Sequence, residues 1–190
     1  VLMNGDASMA PALLGEAGAR PLAERDRSLS GVILLIGLRR RLPRQEHHTV
    51  YFSADYRREF GQLFERREFP DDPTVYVCMP SRTDRSLCPP EGETLFVMAN
   101  APATGGGEAW GEAQSNQARQ RILERLDRSG FPAIESDIAA EAMWTPRQIC
   151  QAYDMPGGAI YGRNSHGWRN AFFRPPNRDR RYRGLYFAGG

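Results

Sequence analysis

Short apolar runs alternate along the chain with charged, glycine-punctuated stretches, and one long amphipathic stripe interrupts them. Val32-Ile33-Leu34-Leu35-Ile36 lies within Leu29 to Leu38, a β-branched run apolar on successive residues, which predicts a central strand covered from two sides. Arg39-Arg40-Arg41 ends it in solvent. His48 to Phe52, Thr74 to Met79 and Thr94 to Ala99 read as further strands. The last two are joined by the turn-rich Pro80 to Gly92, as in a hairpin with a long loop. Phe131 to Trp144 carries mixed strand character, and Ala159 to Gly162 reads as a strand entered from the Pro156-Gly157-Gly158 turn.

Helical periodicity is clearest over Gln114 to Arg128, where Ala118, Ile122, Leu123 and Leu126 share one side, charged residues take the rest, and Gly130 terminates the run. A second helix follows Ser53 or Asp55 as cap. Its stripe is Tyr56, Phe60, Leu63 and Phe64, with Arg57, Arg58, Glu59, Glu65 and Arg66 expected on the wet side. Thr145-Pro146-Arg147-Gln148 is a capping box with proline at the first helical position, opening a short helix to about Tyr153. Ser8 to Leu14 forms a shorter one, closed by Gly15 and Gly18. Strands and helices do not alternate regularly, so the expected class is α+β, a mixed or antiparallel sheet with flanking helices.

The two ends carry their own pattern. Val1 to Asp6 reads as a strand and turn, and Gly184 to Gly190 as an apolar strand running into two glycines. Glycine lets a backbone approach a phosphate or a flat ring closely. Both ends fit one dinucleotide-binding domain interrupted by the intervening chain, and the sequence reads as a piece of a larger ligand-binding protein. In such folds the ligand lies outside the carboxyl ends of the strands. Asn4, Asp6, Ala188, Gly189 and Gly190 are therefore the candidate cofactor contacts, against the plainer alternative of two ordinary strand-end turns.

Composition narrows the chemistry. The 190 residues suit one domain, or one domain with fragments of another, and 41% apolar content argues for a folded chain. No apolar run approaches the roughly 18 residues of a membrane-spanning helix. All 25 basic residues are arginine, so the glycines of Ala101 to Gly107 cannot be the Gly-Lys-Ser/Thr loop that grips phosphates. A net charge of +2 demands no anionic partner. Cys78, Cys88 and Cys150 are odd in number and widely spaced, as reduced thiols of a cytoplasmic protein would be. With no CxxC motif, and with His47 and His48 alternating across a strand, no metal site is expected.

Two further stretches are chemical candidates. Tyr161, after the glycine turn, can set a phenol against a planar cofactor. Arg163 to Arg183 interleaves seven arginines with His166, Trp168, Phe172, Phe173 and Tyr182, a composition that suits single-stranded nucleic acid. Pro175-Pro176-Asn177 instead makes it a structured turn. His166 is a candidate proton acceptor because its pKa lies near neutrality.

Arg20-Pro21 through Leu38, His47 to Phe52, Pro80 to Asp84 with Pro89 to Gly92, Pro156 to Gly162, Phe173 to Arg178 and Gly184 to Gly190 occur in that order and approximate spacing in the phytoene dehydrogenase-like carotenoid desaturases. The resemblance covers nearly the whole chain. It implies an FAD-dependent oxidoreductase whose cofactor domain is built from both ends of the protein, with a substrate domain inserted between. On that pattern residues 1–20 and 163–190 belong to the FAD-binding domain and residues 21–162 to the inserted substrate domain. The Gly-x-Gly-x-x-Gly phosphate turn of such enzymes is not in this sequence, so FAD is expected on the full-length parent and not on this piece alone. The implied partner is a hydrophobic polyene, with peripheral membrane contact by the parent, in which the Gln114 to Arg128 helix is a candidate, and with no nucleic acid. Carotenoid isomerases and saturases share the architecture. A polyene offers few polar handles, so Val32, Leu34, Val50, Phe52, Phe96 and Met98 are candidate lining, with Tyr161, Phe172 and Arg174 as candidate substrate contacts and Tyr161 and His166 as candidate catalytic groups.

Overall fold

A computed structural model describes residues 1–17, 22–104, 110–164 and 176–189. The chain divides into two compact units, one comprising Gly31–Ala101 and Trp110–Thr145, the other Val1–Ser30, Pro102–Ala109 and Pro146–Gly190.

The first unit is built on a five-stranded sheet. Its strands are β2 (Ser30–Leu38), β3 (His48–Tyr51), β4 (Val75–Cys78), β5 (Glu93–Ala101) and β6 (Ile138–Trp144), in the order β3-β4-β5-β2-β6. The β2–β6, β3–β4 and β4–β5 pairs are antiparallel. Gly31 at the start of β2 lies against Ala99 late in β5, and Gly92 just before β5 lies against Leu38 at the end of β2, so these neighbours are antiparallel too. The α+β class with an antiparallel sheet is therefore as the sequence predicts.

Helix α3 (Glu112–Arg128) buries Ala118, Ile122 and Leu126 in one core with Val32, Leu34 and Ile36 of β2, Val75 and Val77 of β4, and Leu95, Val97 and Ala99 of β5. Its charged side still reaches the sheet: Arg119 donates from Nε and Nη2 to the two carboxylate oxygens of Glu141 on β6, at 2.6 and 2.8 Å. Gly130, at φ +77°, closes the helix, with its N–H on the Asp127 carbonyl and the Phe131 N–H on that of Leu126. Because the apolar stripe of α3 is spent on this core, only its polar side remains for the membrane role expected of it.

Two expectations are corrected here. β2 is not covered from two sides: Leu34 is fully buried, whereas Leu35 is 39% exposed and Ile33 is only half-buried. The apolar run hides a period of two, because in the described residues the core lies on one face of this antiparallel sheet. Glu59, expected in solvent, is 1% exposed. The helix that carries it, α2 (Tyr56–Phe60), starts on an Asp55 cap as expected and continues into a π-helical stretch, Gly61–Arg66. Glu59 accepts hydrogen bonds from the Thr74 N–H (2.8 Å) and Thr74 Oγ1 (2.7 Å), which tie α2 to the start of β4. A partner fifteen residues away leaves no trace in helical periodicity.

Glu93 plays the corresponding part at the start of β5. Its buried carboxylate accepts from Ser81 Oγ at 2.5 Å, from Arg85 Nη1 at 2.9 Å and from the Leu42 N–H at 3.2 Å. Burial pushes this carboxyl upward, but the Ser81 and Leu42 hydrogen bonds and the Arg85 charge outweigh it and hold the pKa below its ordinary value. The β4–β5 loop, two 3-10 turns at Pro80–Arg82 and Arg85–Leu87, is thereby pinned to the sheet.

In the second unit β1 (Leu2–Met3) pairs with β7 (Tyr186–Phe187) in parallel, Leu2 opposite Tyr186 and Met3 opposite Phe187. Helix α1 (Ala10–Leu13) follows a 3-10 turn at Ala7–Met9, and α4 (Pro146–Tyr153) starts and stops where its proline and Tyr153 predict. Pro156–Gly158 is a buried 3-10 turn. Gly157 (φ +64°) and Gly158 (φ +77°) are required there, since a Cβ on the first would drive into the Ala103 carbonyl and one on the second into the Pro146 carbonyl. The strand expected over Ala159 to Gly162 does not form. Gly162 turns the backbone at φ +64°, leaving an isolated Arg27–Arg163 bridge and the Ile160 N–H on the Leu29 carbonyl at 3.0 Å.

Candidate functional site

The two chain ends meet, as the sequence predicts. Because β1 and β7 are parallel, their carboxyl ends lie side by side, and each continues into small residues: Asn4-Gly5-Asp6 and Ala188-Gly189. The Ala188 N–H donates to the Met3 carbonyl at 2.9 Å, which extends the pairing to the strand ends. A Cβ on Gly189 would drive into the Gly5 carbonyl, so glycine there is a packing requirement. Asp6 is 6% exposed; its Oδ1 accepts the Ser8 N–H at 2.8 Å, while Oδ2 is buried without a partner among the described residues. A buried carboxylate oxygen lacking a donor costs roughly 1–3 kcal/mol. A ligand hydroxyl or N–H would supply the missing donor.

Beside these ends is a hollow of about 540 Å³ lined by Ala7, Ala10, Pro11, Asp179, Arg181 and Phe187. Arg181 pairs with Glu16 at 2.9 Å and lies 3.7 Å from Asp179. The backbone N–H groups of Tyr182 and Arg181, helped by the Arg181 charge, hold the Asp179 carboxyl below its ordinary value. Sequence reasoning passed over Asp179 and Arg181, whose single signal was the arginine-rich run around them. Asn4, Asp6, Ala188 and Gly189 are thus brought together. Tyr161 is 54% exposed, with its backbone N–H on Ser28 Oγ at 3.0 Å. His166, Phe172, Arg174 and Gly190 lie outside the described residues.

The sheet of the other unit sorts the candidate lining residues. Val32 and Leu34 belong to its closed face and are core. Val50, Phe96 and Met98 point to the opposite face, together with Ile33, Leu35, Tyr76 and Cys78, since Val50 pairs with Tyr76, Tyr76 with Met98 and Cys78 with Phe96. Val50 is 45% exposed, and Phe52, just past the end of β3, is 63% exposed. This face is apolar and partly open, with aromatic rings at its margin: Tyr76 lies edge-on to Phe96 and Phe52 edge-on to Tyr56. No helix among the described residues is long and apolar enough to cross a membrane.

His47 and His48 do not alternate as expected. β3 begins at His48, so His47 lies outside the pleat, and the two rings are 4.2 Å apart.

No protein-family model matches the chain. It is 33% identical, over its whole length, to the zeta-carotene-forming phytoene desaturase of Myxococcus xanthus, and 34% identical, again over its whole length, to the hydroxyneurosporene desaturase of Rubrivivax gelatinosus. The chain belongs to the carotenoid desaturase family. A third relative, the 4,4'-diapolycopene oxygenase of a Methylomonas species, is 31% identical over 86% of the chain. The chain spans 37% of the length of the two desaturases and 33% of the oxygenase. The described residues of this chain thus combine glycine-lined strand ends with an apolar sheet face.

Proposed function

We propose that the chain is part of an FAD-dependent oxidoreductase that introduces double bonds into a long polyene. The carrying observation is the parallel β1–β7 pair, whose adjoining ends present the Gly5–Gly189 close approach and the unpartnered Asp6 Oδ2. A close backbone approach beside an unpartnered acceptor suits FAD. The backbone at Asn4, Gly5, Ala188 and Gly189 would pack against it, and Asp6 would accept from one of its hydroxyl groups. Bound there, FAD would supply the hydride-accepting chemistry of a desaturation.

The chain's own residues do the rest by position and dryness. The open face bearing Ile33, Leu35, Val50, Phe96 and Met98 forms a wall for hydrocarbon, orienting it by shape and excluding water. Tyr161 and His166 are assigned as the groups that handle the proton lost from the neighbouring carbon. The single-stranded nucleic acid reading is the less favoured one, since Arg181 is engaged by Glu16 and Asp179 rather than offered to a phosphate. The names of the relatives support desaturation first and oxygenation second. Isomerase and saturase activities remain outcomes of the same assay.

The test is the flavin content of the full-length protein carrying Asp6→Asn. The variant keeps an oxygen for the Ser8 N–H but places an amide where the ligand hydroxyl needs an acceptor. FAD affinity is expected to fall at least tenfold with the unfolding midpoint unchanged, whereas undiminished FAD in this variant would remove Asp6 from the site. Incubating the intact protein with a panel of carotenoids then separates desaturated, oxygenated, isomerised and saturated products.

A further inference from the structure

We propose that His47, His48 and Cys78 bind one divalent transition-metal ion, of which Zn²⁺ is the best fit. One ligand atom from each lies within 4.8 Å of the others. Two different constraints produce this cluster. His48 and Cys78 face each other in the β3–β4 register, and His47, outside the pleat, turns its ring back to 4.2 Å from that of His48.

The surroundings favour one tautomer of each ring. His47 Nδ1 is 2.5 Å from Thr83 Oγ1, and His48 Nδ1 is 2.8 Å from the Tyr76 hydroxyl. With each Nδ1–H donating to a hydroxyl, each Nε2 keeps the lone pair that a metal requires, the arrangement metal-bound histidines commonly adopt. Bond lengths of about 2.0–2.1 Å to nitrogen and about 2.3 Å to sulfur put the ligand atoms of a tetrahedral site roughly 3.3–3.7 Å apart. The three ligands therefore close by about an ångström, which rotation of the exposed His48 and the half-buried His47 and Cys78 allows. Two imidazoles and a thiolate select zinc, cobalt or copper over magnesium or calcium. A fourth position is left for water. The ion would clamp the edge strand β3 to β4, and through Thr83 to the β4–β5 loop. It uses none of the residues assigned above to FAD or to the hydrocarbon wall, although His48 and Cys78 share the open face with Val50 and Phe96.

The test is titration of the full-length, untagged, chelator-treated protein with Co²⁺, read by absorption. One equivalent per chain is expected, with a thiolate-to-cobalt charge-transfer band and the visible bands of tetrahedral cobalt, both erased by Zn²⁺. Cys78→Ser should abolish the charge-transfer band, and His48→Asn should weaken Co²⁺ at least tenfold. Cys88→Ser and Cys150→Ser should change neither, and far-ultraviolet circular dichroism should show every variant folded. No thiolate band in the wild-type protein, a band that survives Cys78→Ser, or unchanged affinity in a folded His48→Asn protein would each overturn the site.

Discussion

The two faces of the five-stranded sheet are made from the same kinds of residue and end in opposite environments. Along β2, Val32, Leu34 and Ile36 are sealed under α3, while Ile33 and Leu35, no less apolar, stay partly open. β3, β4 and β5 repeat the contrast, with Val75, Val77 and Val97 on one side and Val50, Tyr76, Phe96 and Met98 on the other. Folding of this unit accounts for the first set. An apolar surface left uncovered among the described residues marks contact with something else, and the hydrocarbon of the activity proposed above fits it.

Cutting into the closed face should produce the largest effect. Leu34→Ala is expected to cost about 2–5 kcal/mol, read by denaturant unfolding, because it removes a fully buried side chain and leaves a cavity. A loss under about 1 kcal/mol would erase the difference between the faces. Next comes the one carboxylate on the closed face of β5. Glu93→Gln should cost roughly 1–3 kcal/mol by leaving Arg85 and its hydrogen bonds ill-matched. Since the folded pKa of Glu93 lies below the unfolded one, its contribution is complete above the unfolded value and fades as pH falls through the folded value. The wild-type protein should therefore lose part of its stability in that acid window, and the glutamine variant should show a flatter profile. A smaller effect is expected at the surface pair Arg40–Asp137, where Arg40→Ala should change stability by about 0.2–1 kcal/mol and less in high salt. Smallest of all should be Leu35→Ala on the open face, within about 0.5 kcal/mol in unfolding but raising the apparent KM for polyene several-fold.

Elements with a purely local cause were legible in the sequence. The α3 stripe, the Gly130 stop, the Asp55 cap, the proline start of α4 and the β4–β5 hairpin all follow from residues within a few positions of one another. Features fixed by distant partners were not. Glu59 is buried by Thr74, and β2 reads as two-sided although α3, more than seventy residues away, covers only one of its faces. The Gly162 backbone breaks a run whose side chains favour a strand. The close approach at the strand ends was legible because glycines and small polar residues mark it, and the meeting of the ends followed from reading both as parts of one interrupted dinucleotide-binding domain. The contributions of Asp179 and Arg181 were hidden, since charge pairs across long loops carry no periodic signal.

The open face is best judged by the full-length protein carrying Leu35→Glu and Met98→Glu, assayed for polyene turnover alongside FAD content and unfolding midpoint. Turnover is expected to fall at least tenfold with flavin and midpoint unchanged, because two carboxylates would then stand where hydrocarbon must lie. Unaltered turnover in that folded, flavin-loaded variant would contradict the assignment of this face to substrate.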